Sequence, residues 1–221
     1  MIEGGKIDWL CHANDAAAAI HETMALDNAV RKAYEFAQKH PDETLIVVTG
    51  DHETGGMTMG FAGTGYKLYI NRLSGQKVTG GVFAHRFRQK IAANPKLQFD
   101  DVKELIFENF GLKTEGDAKK DPMVLSSHEL ARVQQAFRRS LGSKDYAPSE
   151  DRKLLYGGSD PLTVTLLHIL ANKAGVAWTT FAHSALPVNT TAYGVNADHF
   201  SGMLDNTDIA RKLKAMLPAA K

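Results

Sequence analysis

One cysteine in 221 residues, Cys11, excludes an internal disulfide, so packing rather than cross-linking must hold the fold together. Neither sign of charge is in excess. The formal net charge is +1, which gives no overall pull toward nucleic acid or an anionic membrane surface. No apolar run reaches the length that spans a bilayer. No N-terminal stretch combines the basic, apolar and small-residue parts of a signal peptide. Internal repeats and low-complexity tracts are absent too, which excludes solenoid architectures. What is present is ordinary globular composition, 43% hydrophobic and 23% charged, at a length that fills one core.

Ala13 to Lys39 reads as a long amphipathic helix with Ile20, Met24, Val30, Tyr34 and Ala37 on its apolar stripe, started by Asn14 or Asp15 and stopped at His40-Pro41. Thr44 to Thr49 is a short, continuously apolar strand, the pattern of a sheet covered on both faces. Strands are expected at Met57–Phe61 and Tyr66–Ile70, around the turn Gly63-Thr64-Gly65. From Gly80 to Gly175 the periodicity is helical, with helices predicted over Val82–Ala93, Phe99–Phe110, Ser127–Leu141 and Leu162–Ala174. Ser159-Asp160-Pro161 supplies a good helix start, and Gly111 and Gly175 supply stops. Thr114 to Pro122 is a polar loop. Strand character returns at Val176–Phe181 and Thr190–Tyr193, and Asp205 or Asn206 caps a last helix reaching about Leu217. The fold class expected is α/β: a mostly parallel sheet flanked by helices, with a helical insertion. It forms a single incomplete domain, with its core at 1–61 and 176–221 and the insertion at about 62–175.

Three stretches carry the chemistry. The first runs from Glu3-Gly4-Gly5 through Asp8 to His12. Asp8 and His12 stand four apart, so one helical turn places both side chains on one side. Carboxylate plus imidazole is zinc-ligand chemistry, and a lone carboxylate such as Glu3, with room for water, suits magnesium. The second is Thr49-Gly50-Asp51-His52, at the carboxyl end of the apolar strand, where α/β proteins gather their ligand-bearing residues. The third is Trp178 to Ala185, which carries His183 after a β-rich run. Cys11 beside the first motif is either a further ligand or a small buried apolar residue. Trp9 either packs or tunes access to the site. His85, His128 and His168 fall on expected helices and are assigned structural or solvent-facing roles. The basic residues Arg86, Arg88, Lys90, Arg138 and Arg139 have no aromatic interleaving and read as a solvated face.

In order and combination, the three segments resemble the C-terminal half of alkaline phosphatases. That family shows E-G-x-x-I-D-x-x-x-H, then T-A-D-H, then H-T-G. This chain reads Glu3-Gly4-Gly5-Lys6-Ile7-Asp8-Trp9-Leu10-Cys11-His12, then Thr49-Gly50-Asp51-His52, then His183-Ser184-Ala185, and its tail from Phe200 to Ile209 is also similar. Gly50 and Ser184-Ala185 depart from the family's usual residues while keeping the ligands. The resemblance implies a metal-dependent phosphate monoester hydrolase with two zinc ions and one magnesium. Asp8, His12 and His183 would hold one zinc, Asp51 and His52 the second, and Glu3 the magnesium. The nucleophile, the phosphate-holding arginine and a carboxylate shared between metals match nothing here, so no catalytic residue is assigned. They are expected upstream, this chain being the C-terminal part of its parent. The resemblance also implies phosphate monoester substrates, a homodimer, and a periplasmic or extracellular location for the full-length parent. The competing readings are a zinc-binding but catalytically inert fragment and a related phosphomutase or phosphodiesterase.

Overall fold

The chain enters on a short helix, α1 (Gly5–His12), turns at Asn14, and continues as α2 (Ala16–Ala37). Strands β1 (Leu45–Val48), β2 (Glu53–Thr54) and β3 (Thr58–Met59) follow, then α3 (Gly80–Ala93), α4 (Lys103–Phe110), α5 (Ser127–Ser140), α6 (Ser149–Tyr156) and α7 (Pro161–Ala174). The chain closes with β4 (Val176–Ala177), β5 (His183–Ser184), β6 (Thr191–Gly194) and α8 (Asn206–Met216). The structure is a computed structural model that describes residues 1–142 and 149–217. Among these, no helix is long and apolar enough to cross a membrane.

Two compact units divide the chain: Met1–Glu22 with Thr54–His183, and Thr23–Glu53 with Ser184–Lys221. In the first unit, α7 is apolar nearly all round and is correspondingly buried. Asp160 caps it by accepting from the Thr163 amide, Pro161 occupies its first turn, and Gly175 ends it in the left-handed conformation. Leu162, Leu166, Ile169 and Leu170 share the core with Phe83 and Phe87 of α3, Ile106 and Phe110 of α4, and Val133 of α5. Phe83 meets Phe110 edge-on, with ring centroids 4.9 Å apart. Truncating one such phenylalanine to alanine costs about 3–5 kcal/mol. Ser126 and Glu129 form a reciprocal capping box at the start of α5.

In the second unit, β1 and β6 pair antiparallel in the register Leu45–Gly194, Ile46–Tyr193, Val47–Ala192 and Val48–Thr191. The hydroxyls of Thr49 and Thr190 continue the pairing at 2.8 Å. The C-terminal turns of α2 lean on this ladder through Tyr34, whose ring lies 4.7 Å from that of Tyr193. Asp205 caps α8 in a second capping box, with Asp208.

Helix positions follow the sequence closely, apart from α6, which is not among the expected helices, and strand partners do not. The ladders whose register is defined, β1 with β6 and β3 with β4, both run antiparallel, and helix predominates where a mostly parallel sheet is expected. β1 is half-buried at all four positions, in a sheet of two strands. An apolar run specifies that faces are covered, but not which strand lies alongside or in which direction. Tyr66–Ile70 is not a strand. Tyr69 donates its amide to Ala174 O instead, and Arg72 lies over the Tyr69 ring while donating to Lys173 O. These contacts tie the segment to the end of α7, and β3 pairs with β4 in its place. Residues 1–4 carry no regular structure.

Candidate metal centre

Two segments far apart in sequence build the site. α1 places Asp8 and His12 one turn apart on the same side. The chain then breaks at Asn14, which takes φ 53°, a left-handed value that asparagine tolerates better than most residues. Asp15 receives the first turn of α2, accepting from the Ala18 amide, and also accepts from Gly80 N at the start of α3. Burial pushes the Asp15 carboxyl up, and its bonds from Gly80, Gln76 and Ala18 pull it back down.

The second segment, 178–183, lies on Gly55. Thr179 N and Thr180 N both donate to Gly55 O, and Gly55 N donates to Ala182 O. Gly55 has φ +88°, and a Cβ there would stand 2.5 Å from the Trp178 ring and 2.9 Å from Cys11 O. Only glycine lets α1, Gly55 and the Trp178 loop approach this closely.

That packing delivers His183 to α1. His12 Nε2 lies 3.5 Å from Asp8 Oδ1, His183 Nε2 lies 3.8 Å from Asp8 Oδ1, and the two Nε2 atoms are 3.2 Å apart. The three atoms fall within 4.8 Å of one another, a grouping that could hold a metal ion. The point equidistant from all three lies about 2.0 Å from each, which is the zinc–nitrogen and zinc–oxygen bond length. The donor set is compatible with zinc: a tetrahedral ion sits out of the plane of the three atoms, which asks the longest edge to close by a few tenths of an ångström. The Asp8, His12 and His183 side chains are 35%, 38% and 49% exposed, which leaves one side open. Three protein ligands and an open position are the arrangement of catalytic zinc.

The surroundings favour ligation too. His12 Nδ1 lies 2.7 Å from Phe181 O. A carbonyl only accepts, so Nδ1 carries the hydrogen and Nε2 of the neutral ring presents its lone pair to the cluster. Thr54 Oγ1 donates to Asp8 Oδ1 at 2.6 Å and holds that carboxylate in place. Neither Thr54 nor the Phe181 carbonyl is flagged by the sequence. Thr54 sits two residues past Asp51-His52, in the short strand β2.

Glu3 is exposed and outside the three-residue cluster; its Oε1 would lie 2.8 Å from a Cβ on Gly5, so the carboxylate folds back over the first residue of α1. Asp51 and His52 belong to the second unit. There His52 Nε2 lies 3.3 Å from Asp51 Oδ2, a separation that suits two ligands of one tetrahedral ion. Cys11 is half-buried and not among the clustered ligands. Trp9 is 73% exposed. His168 is half-buried and hydrogen-bonded to Asn14.

Comparisons with known proteins bear on the family and the fold. The family profile described as alkaline phosphatase matches residues 1–219. Alkaline phosphatase 3 of Bacillus subtilis is 30% identical over 213 residues, which cover 96% of this chain and 38% of that protein. The repressible alkaline phosphatase of Saccharomyces cerevisiae is 27% identical over 208 residues, covering 93% and 33%. The crystal structure of a cold-active alkaline phosphatase from a psychrophilic Shewanella superposes with a TM-score of 0.71 at 29% identity, covering 98% of this chain and 44% of that one. The Thermus thermophilus alkaline phosphatase shares the fold, with a TM-score of 0.69 at 22% identity. The chain thus spans between 33% and 44% of the length of these relatives. On the profile match across nearly its whole length, this chain belongs to the alkaline phosphatase family.

Proposed function

We propose that this chain carries the zinc-holding part of the active centre of a metal-dependent phosphate monoester hydrolase. The observation that carries the reading is the convergence of Asp8, His12 and His183, with His183 171 residues from His12. Such a triad supplies one carboxylate and two imidazoles, and Asp8 and His12 each have an orienting partner, in the Thr54 hydroxyl and the Phe181 carbonyl. Asp51 and His52 offer two ligands for a second zinc, and Glu3 offers a carboxylate for magnesium. When bound, the metal ions supply Lewis-acid charge to the attacking and leaving oxygens of a phosphoryl transfer. The contribution of this chain is positional. The Phe181 carbonyl fixes the His12 tautomer, the Thr54 hydroxyl fixes Asp8, and the Gly55 turn carries His183 into place.

Nothing in the chain matches the family's nucleophile or phosphate-holding arginine. Positioning of those groups supplies most of phosphoryl-transfer catalysis. The chain on its own is therefore expected to bind zinc and to hydrolyse phosphate esters negligibly.

The test is to purify the chain, confirm its mass, titrate zinc by calorimetry, and follow an aryl phosphate at alkaline pH with zinc and magnesium present. Zinc binding that disappears in Asp8→Ala and His183→Ala supports the centre. Unchanged binding in both variants overturns it. Robust turnover that His183→Ala abolishes shows instead that the chain holds a complete catalytic site.

A further inference from the structure

Asn14 joins the two ligand-bearing segments. It is 1% exposed, and its amide nitrogen donates to Cys11 O and to Thr180 O, both at 2.9 Å. Cys11 immediately precedes His12, and Thr180 lies three residues before His183. Both acceptors are carbonyls, so the orientation of the amide is fixed and Oδ1 must face the other way. There it meets His168 Nε2 at 2.9 Å, which makes His168 the donor and sets its tautomer. The His168 ring also stacks on Phe181, with centroids 5.7 Å apart, and the Phe181 carbonyl takes the His12 Nδ1 hydrogen.

We propose that Asn14 and His168 form a positioning clamp that sets the spacing of His12 from His183 and so tunes metal affinity and coordination geometry. The proposal rests on the metal reading above. Its physical basis is that no local backbone constraint relates two ligands 171 residues apart. Their separation is held by whatever ties the segments together, and Asn14 bonds to both. Burial keeps His168 neutral near neutral pH, which preserves the single tautomer the clamp uses. Partners of this outer kind typically change metal affinity 10–100-fold when removed.

Three variants test the clamp in the full chain: Asn14→Gly, which keeps the left-handed backbone and removes the amide; His168→Phe, which keeps a ring over Phe181 and removes the donor; and His168→Gln, whose amide can still donate to Asn14. Zinc affinity is read by competition with a chromophoric chelator, and geometry by the visible spectrum of the cobalt(II)-substituted chain. The expected result is about 10–100-fold weaker zinc binding and a shifted cobalt band in Asn14→Gly and His168→Phe, with His168→Gln close to the parent. Parent-like affinity and spectrum in both Asn14→Gly and His168→Phe overturn the clamp. Equal loss in His168→Phe and His168→Gln also overturns it, because the hydrogen bond would then not be what matters. Failure of the parent chain to bind zinc, or binding that survives His183→Ala, overturns the metal reading and the clamp together, so the two failures are told apart.

Discussion

Thr54 donates its hydroxyl hydrogen to Asp8 Oδ1 across 2.6 Å, and the same oxygen faces His12 Nε2 and His183 Nε2. One lone pair of Oδ1 is thus committed to an orienting donor while the atom still points into the cluster. Thr54 itself is buried, so the bond is shielded from competing water.

Removing that donor is expected to weaken the site without abolishing it. Thr54→Val keeps the volume and the branched shape but not the hydroxyl, and zinc affinity is expected to fall by about tenfold or more. Thr54→Ser restores the donor and is expected to recover most of the loss. Calorimetric titration of the three proteins checks this, and equal affinities would show that Asp8 needs no orienting partner.

Gly55→Ala adds a single methyl group at a position with no room for it. The new Cβ would stand 2.5 Å from Trp178 Cζ3 and 2.9 Å from Cys11 O, on a backbone already at φ +88°. Left-handed strain alone costs about 1 kcal/mol or more, and the clash adds to it. Gly55 also bonds to Thr179, Thr180 and Ala182, so the strain falls on the loop that carries His183. Thermal unfolding should show a loss of about 2 kcal/mol or more, and zinc titration a loss of affinity. Gly60→Ala, where an added Cβ meets nothing within 4 Å, is the control expected to change neither.

What could be read from the sequence divides along a physical line. Periodicity and capping chemistry are local, so α3, α5, α7 and α8 and the caps Asp160 and Asp205 follow from the residues themselves. The spacing of Asp8 and His12 is likewise local, and α1 realises it. Strand pairing is not local. Nothing in Leu45-Ile46-Val47-Val48 names Thr191–Gly194 as its partner or antiparallel as its direction. The roles of Thr54, Asn14 and His168 are hidden for the same reason. A threonine in a short strand, an asparagine after a helix and a histidine on a buried helix acquire meaning only when distant backbone arrives beside them. Asp15 is the intermediate case: its cap on α2 is legible, and its bond to Gly80, 65 residues on, is not.

That second bond of Asp15 predicts a stability effect larger than that of an ordinary cap. The carboxylate is fully buried and accepts from Ala18 N, Gly80 N and Gln76 Nε2. Asp15→Ala strips these donors of their partner inside the protein, and the loss is expected to reach about 2–4 kcal/mol, compared with about 1 kcal/mol for a simple exposed cap. Denaturant unfolding of the metal-free protein measures it. A loss below about 1 kcal/mol would mean that the Gly80 and Gln76 bonds contribute nothing beyond the α2 cap.

Acidification is expected to reach the fold through His168. Burial, with the charge of Arg132 second, pushes this imidazole down from 6.5 to about 4. In the unfolded chain His168 regains its ordinary pKa. Between those two values the unfolded state binds a proton that the folded state does not, so stability falls as pH falls. The contribution is fully present above about pH 6.5 and is lost progressively toward pH 4, with a total on the order of 3 kcal/mol. Asp15, whose carboxyl is raised, acts in the opposite sense: its contribution is present below the ordinary carboxylate pKa and is lost as pH rises through the raised one. The two are separated by comparison with His168→Gln, which has no titrating ring but keeps Asp15. Denaturant unfolding at pH 7.5, 5.5 and 4.5, with a chelator present to exclude metal effects, should show the parent losing stability on acidification faster than the variant. Parallel curves for the two proteins would mean that His168 takes up its proton in the folded state as readily as in the unfolded chain.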